Sequence, residues 1–411
     1  MAWNIGANDV ANAMGTSVGS KALTLKKAVF IAAILEFAGA FFAGGDVAET
    51  IQKGIISPGH ITDPTLFVLG MMGSLLATGV LLQIASTFGL PVSTTHAIVG
   101  AVMGFGIAVG GFEAVSWGEM GWIAASWVLS PILSGIVAYF IFLLIQKQIL
   151  FALNPIEATQ RLAPFFVFLC ANLLILSLAY HGLAPLHLDL PFPIAFTISL
   201  TISASLALFC HFQLKKPSFL SALPAPSSNS FHFSTQAYFG VEKIFVFLQI
   251  MSASLVAFAH GANDVANAIG PVAAVLSVLK TNTLSLQTQI PSWLLALGGA
   301  GIVIGLATWG WRVIETIGKK ITELSPTRGF AAEFGAAITI LLASKLGFPI
   351  STTHALVGAV FGVGMARGLR ALNLKTLKEI LLSWIITIPF CAILSIAMFY
   401  LLKLGYFAIA K

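Results

Sequence analysis

Gly6-Ala7-Asn8-Asp9-Val10-Ala11-Asn12-Ala13 recurs letter for letter as Gly261-Ala262-Asn263-Asp264-Val265-Ala266-Asn267-Ala268. Each copy sets one acid and two carboxamides in apolar surroundings. Of the 411 residues, 58% are hydrophobic and 9% charged, and the mean hydropathy is +0.95. A soluble chain carries about 25% charged residues. So little polar surface does not cover a water-soluble globule, and the chain reads as a multi-pass integral membrane protein, in contact with lipid. Acids and amides at membrane depth are costly and mark function by default, so the duplicated octet is the first candidate for a site.

Outward from the octets, the apolar runs are long and continuous rather than alternating, which favours helices over a barrel. The excess of 21 Lys+Arg over 15 Asp+Glu contains no basic run or aromatic-interleaved patch. It reads as basic loops on one side of a membrane, not as a nucleic-acid surface. Cys170, Cys210 and Cys391 lie in apolar runs without metal-ligand spacing, so no transition-metal site is expected.

A second block is also duplicated. Gly89-Leu90-Pro91-Val92-Ser93-Thr94-Thr95-His96-Ala97 is matched by Gly347-Phe348-Pro349-Ile350-Ser351-Thr352-Thr353-His354-Ala355. A segment broken by Pro and Gly around a hydroxyl cluster predicts two half-helices with a polar turn. Such backbone survives at membrane depth only where protein or a cavity surrounds it. The expected organisation is a first repeat over 1–150, two connecting transmembrane helices over 151–212, a polar Pro/Ser-rich linker over 213–240 and a second repeat over 241–411.

Residues 46–64 read as a loop with Lys53 among three acids, Asp46, Glu49 and Asp63. Their counterpart in the second repeat carries Arg312, Lys319, Lys320 and Arg328 against Glu315 and Glu323. By the positive-inside rule these equivalent loops lie on opposite sides, so the repeats are inverted. Counting crossings puts both copies the same way up, but that count fails wherever a segment dips in and returns. The expected fold is an all-α polytopic membrane protein of two inverted repeats with broken helices and re-entrant hairpins, about 11–12 membrane segments in all. Inverted repeats, interrupted helices and a polar midplane are the pattern of a secondary transporter.

Asn8, Asp9 and Asn12, like Asn263, Asp264 and Asn267, present oxygens on one helical face, since positions i and i+4 are neighbours. Hard cations prefer such ligands, so these residues are candidates for a coupling-cation site, completed by carbonyls of an unwound helix. Ser93, Thr94 and Thr95, and Ser351, Thr352 and Thr353, follow a Pro at a helix start. Hydroxyls and orphan N–H groups there make an anion cradle assisted by the helix dipole. Cation sites beside an anion cradle imply symport. Phosphate keeps a proton that Asp9 or Asp264 accepts, which sulfate lacks. Glu36 and Glu333 are acids inside apolar runs, read as ligands of a second cation or as proton acceptors. His96 and His354 orient the turns or touch substrate. His260 abuts the second octet where Ile5 stands in the first, so no symmetric role is expected of it.

Through these paired blocks the chain resembles the inorganic phosphate transporter family, also called the phosphate permease family. The resemblance covers both repeats. It implies about 12 membrane segments with inverted repeats, Na+- or H+-coupled uptake of inorganic phosphate without a cofactor, a homodimer and a bacterial inner membrane location. By position it places essential acids at Asp9, Asp264, Glu36 and Glu333 and hairpin hydroxyls at Ser93 to Thr95 and Ser351 to Thr353. The family has an apolar half-helix ahead of the first octet; here only Met1 to Ile5 precede it, so that half-helix is expected to be missing. Competing readings are a sulfate permease on the same scaffold and a passive anion channel. An enzyme is not expected, because the Ser/Thr/His clusters are duplicated and lack a partnered acid.

Overall fold

The structure is a computed structural model and describes residues 1–61, 63–88, 92–180, 182, 188, 190–216, 230–284, 289–314, 325–368 and 374–409. Among them are thirteen α-helices and no strand beyond a single bridge between Ile56 and Val115. The first repeat holds α1 (Ala2–Gly19), α2 (Leu25–Ala43), α3 (Gly45–Lys53), α4 (Pro64–Thr87), α5 (Thr94–Gly110) and α6 (Trp117–Ile145). Helices α7 (Pro155–Ala179) and α8 (Phe192–Leu214) connect the halves and pack on each other. The second repeat holds α9 (Ser230–Thr281), α10 (Ser292–Gly305), α11 (Pro326–Lys345), α12 (Thr352–Arg367) and α13 (Leu374–Ile409).

Among the described residues seven helices are long and apolar enough to cross a membrane, or eight if α2 and α3, bent by 61°, are taken as one span. Helices α1, α5, α11 and α12 make up the rest of the expected set; each is short or carries polar residues, because they form the site. Large apolar side chains such as Phe30, Phe140, Ile385 and Ile393 are exposed on the outside, as a lipid-facing surface requires.

Three expectations change. Octet two lies inside an unbroken helix, Ser230–Thr281, and octet one inside the continuous α1. No helix is unwound there, because alanines fill the octet and its carboxamides bond outward to other helices. Of residues 46–64, expected as loop, the stretch to Lys53 belongs to the amphipathic helix α3. Of the expected linker, 217–229 lie outside the described residues and 230–240 belong to α9. Lys319 and Lys320 of the basic loop also lie outside the described residues.

The octet glycines serve close approach. A Cβ on Gly261 would run into the carbonyl oxygen of Glu36 on α2, and one on Gly39 into that of Phe258 on α9. In the other half a Cβ on Gly6 would strike the carbonyl of Ile302 on α10, and one on Gly305 that of Trp3 on α1. The pairs α9–α2 and α1–α10 are therefore related by a pseudo-two-fold, each octet helix packed on a helix of the other repeat. In this relation Gly6 corresponds to Gly261, and Ile302 to Glu36.

A carbonyl in a helix ladder does not swing aside, and overpacking costs about 1–3 kcal/mol. Gly261→Ala is therefore expected to lower the melting temperature of the detergent-purified protein by about 1–3 °C, at about 1 °C per kcal/mol for a chain of 411 residues. Gly45→Ala, with nothing within 4 Å of its added methyl, is the control and should melt as the parent does. Equal melting of the two variants would remove the close-approach argument.

Candidate functional site

Helices α4 and α5 form one hairpin and α11 and α12 the other, with α5 and α12 starting at the hydroxyl clusters. Gly347, at φ 72°, provides the turn in the second; Gly89, Leu90 and Pro91 of the first lie outside the described residues. Ser93 caps α5 by accepting from the amide of His96, and Ser351 caps α12 by accepting from that of His354, each at 3.2 Å. The two helix starts meet tip to tip: the rings of His96 and His354 are 4.4 Å apart, and Thr95 donates to the carbonyl of Ile350 at 2.9 Å. Two N-terminal dipole ends thus converge, a setting that favours an anion.

Each octet is stitched to these tips in the same way. Thr94 donates to Oδ2 of Asp9, and Thr352 to Oδ2 of Asp264 at 3.0 Å. Asn12 donates across to Thr353 at 2.8 Å, and Asn267 across to Thr95 at 3.2 Å. Asn8 donates to Ser86 at 3.0 Å, and Asn263 to Ser344 at 3.1 Å. All of these side chains are buried. The acid of each octet binds the hairpin of its own repeat, and the second Asn binds the hairpin of the other. One network therefore ties both repeats at a single centre.

Asp9, Asp264 and His260 bring one ligand atom each within 4.8 Å of one another. Two buried carboxylates so close repel strongly in a medium of low dielectric, which suits a cation or a proton between them. Asp9 has both oxygens engaged, by Thr94 and by Asn12 at 3.4 Å. In octet two, the Oδ1 atoms of Asn263, Asp264 and Asn267 are buried without a donor. Three neutral or anionic oxygens lacking donors fit a hard cation.

The two glutamates part company. Glu36 is fully buried and faces Nδ1 of His260 at 3.2 Å; Nε2 of that ring faces Oδ2 of Asp264 at 3.0 Å. Glu36 thereby joins the centre. Glu333 does not: its Oε1 accepts from Thr16, from Ser17 at 2.8 Å and from Gln249 at 3.1 Å, and its Oε2 from Ser252. It lies against the turn of α1 beyond octet one and the preceding stretch of α9.

Sequence reasoning passed over Ser86, Ser344 and the bridging role of His260. The serines carried a signal, since each stands seven positions ahead of the serine that opens its hydroxyl run. Trp127 was also missed; it donates to the carbonyl of Pro349 at 3.1 Å and packs 4.0 Å from the ring of His96.

Residues 5–395 match the model of the phosphate transporter family. A Chlamydia trachomatis protein that carries the name phosphate permease is 49% identical over 420 residues, covering 98% of this chain and 96% of that one. Inorganic phosphate transporter 2-1, chloroplastic, of Arabidopsis thaliana is 47% identical over 414 residues, covering 96% of this chain and 69% of the relative. A solved structure titled the sodium-dependent phosphate transporter superposes with a TM-score of 0.88 at 41% identity, covering 98% of this chain and 96% of the other. A family match across nearly the whole chain, with relatives this similar over their length, places the protein: it belongs to the phosphate transporter family.

Proposed function

We propose that the chain imports inorganic phosphate across a membrane, a bacterial cell membrane in the expected case, by symport with Na+, working as a homodimer. The observation that carries this reading is the pairing of each octet aspartate with the hydroxyl run of a helix N-terminus, twice, around one centre. The converging starts of α5 and α12 hold the anion through Ser93 to Thr95, Ser351 to Thr353 and their free backbone N–H groups. Asp9 and Asp264, with Asn8, Asn12, Asn263 and Asn267, hold the cation alongside, and each charge lowers the cost of dehydrating the other. Glu36 and Glu333 assist from two different places. Na+ is favoured over H+ by the donor-less amide oxygens of Asn263 and Asn267, which ligate a metal ion but do not store a proton. The sodium-dependent name of the solved relative points the same way.

Phosphate is favoured over sulfate because its remaining proton donates to an aspartate, and such complementarity discriminates strongly. Proteoliposomes loaded without Na+ should accumulate labelled phosphate on addition of outside Na+ and not on imposition of a pH gradient alone. Excess sulfate should leave that uptake unchanged. Uptake driven by the pH gradient without Na+ would move the coupling to protons. Uptake without any cation gradient would make the protein a passive channel.

A further inference from the structure

The pseudo-two-fold that relates the octets is broken at one place. Octet two is preceded by His260 and faces Glu36; octet one is preceded by Ile5 and faces Ile302. The correspondence is fixed by the glycines, since Gly261 abuts the carbonyl of Glu36 as Gly6 abuts that of Ile302. A buried apolar pair, with Ile5 and Ile302 both fully covered, stands where the other half has a buried His–carboxylate pair.

This asymmetry reaches the aspartates. His260 faces Glu36 through one ring nitrogen and Asp264 through the other, at 3.2 and 3.0 Å, with no side-chain exposure at His260 or Glu36. Each ring nitrogen thus lies within ion-pair distance of a carboxylate oxygen, although neither contact is aligned as a hydrogen bond. Oδ2 of Asp264 accepts from Thr352 and lies 3.0 Å from Nε2 of His260, whereas Oδ1 has no donor. Oδ1 of Asn263 and of Asn267, in the same octet, also lack a donor. Asp9 has no such clamp; its two oxygens are engaged by Thr94 and Asn12, partners that also serve the hairpins. The charged groups facing His260 are Glu36 on α2, Asp264 on its own helix and Asp9 on α1.

We propose that His260, backed by Glu36, is a positioning residue that fixes Asp264 with one oxygen presented. It makes the two octets unequal, so that octet two is the pre-formed, tighter cation half-site. Octet one takes its cation more weakly, because Asp9 must first release Asn12. Ligands held in place by an outer partner bind metal about 10–100-fold better than loose ones. This inference rests on the Na+ symport reading, and it predicts an effect on cation affinity separate from phosphate affinity.

The test is the Na+ dependence of phosphate uptake in proteoliposomes. Wild type is measured first; absence of Na+ dependence there sinks the symport reading itself and leaves the clamp to be judged by direct binding of 22Na+ to the purified protein. In a Na+-dependent wild type, His260→Ile, which copies the residue of the other half, should raise the Na+ concentration for half-maximal uptake about tenfold or more. The phosphate KM at saturating Na+ should stay within about twofold, a split that a merely structural defect does not produce. His260→Gln, able to donate one hydrogen bond to Asp264, should recover part of the Na+ affinity. Should His260→Ile fail to fold, Glu36→Ile with His260→Ile rebuilds the apolar pair that octet one already accommodates, and it should show the same Na+ shift. Unchanged Na+ dependence in a folded His260→Ile or double variant overturns the proposal. So does an equal rise in the phosphate KM.

Discussion

Asp264→Asn is expected to reduce Na+-driven phosphate uptake by at least about 100-fold, which corresponds to about 2.7 kcal/mol of lost stabilisation. The substitution keeps the shape of the side chain, and an amide oxygen in the Oδ2 position would still accept from Thr352. It removes the charge that opposes a cation, and it turns one acceptor into an NH2 donor. Whichever way that amide lies, a loss follows: the NH2 group either takes the Oδ2 position, facing Thr352 and the ring of His260, or occupies the position of the bare Oδ1. Asp9→Asn is expected to be as severe, since Asp9 is the acceptor for both Thr94 and Asn12. Neither change removes buried volume, so both variants should reach the membrane and melt within a few degrees of wild type. Uptake at near-normal rates by either variant, at wild-type protein levels, would falsify the assignment of the octet acids to the transport site.

Much of this site was legible in the sequence because its chemistry is written twice. Eight identical residues and a second block of Ser-Thr-Thr-His named the acid, the carboxamides and the hydroxyls before any coordinates. What pairs with what was not legible. That Asp9 takes Thr94 of its own hairpin while Asn12 reaches Thr353 of the other depends on how the helices cross, and one chain read in order carries no crossing angle. The continuity of α9 through Gly261 was misread for a related reason. The broken-helix pattern of transporters suggests an unwound stretch at the octet, whereas here the helix runs on and Gly261 lets Glu36's carbonyl approach. His260 was set aside because Ile5 occupies the matching position. The reading assumed that machinery must be symmetric, but a helix from the other repeat supplies Glu36 on one side and Ile302 on the other. Repeat identity exposes the shared part of a two-fold site and is blind to where the halves differ.

Glu333 shows the same blindness, and its substitution should have the largest effect on stability. The sequence grouped it with Glu36 as an acid in an apolar run. Yet Glu36 answers to one histidine, while Glu333 answers to four donors from two helices, Thr16 and Ser17 on α1 and Gln249 and Ser252 on α9. Glu333→Ala strips the acceptor from all four at once. A buried donor without a partner costs about 1–3 kcal/mol. The serine and threonine hydroxyls turn back to helix carbonyls at small cost; Ser252 already reaches that of Gln249 at 3.0 Å. The loss is therefore below the simple sum, about 3–5 kcal/mol, as when one partner of a buried charged network is removed. At about 1 °C per kcal/mol for a chain of 411 residues, the melting temperature of the purified protein should fall by about 3–6 °C. Glu333→Gln keeps one acceptor oxygen and the shape, so it should recover about half of that fall. A Glu333→Ala protein that melts like wild type would show that the four donors find other acceptors. Glu333 would then have to be judged by transport alone, through the Na+ dependence of uptake in that stable variant. The contrast with Asp264→Asn is the point of the pair of experiments. Loss of Asp264 should silence a protein that stands, because its carboxylate faces the centre where the cation enters. Loss of Glu333 should loosen the protein itself, because its carboxylate is the joint at which α11 holds both octet helices.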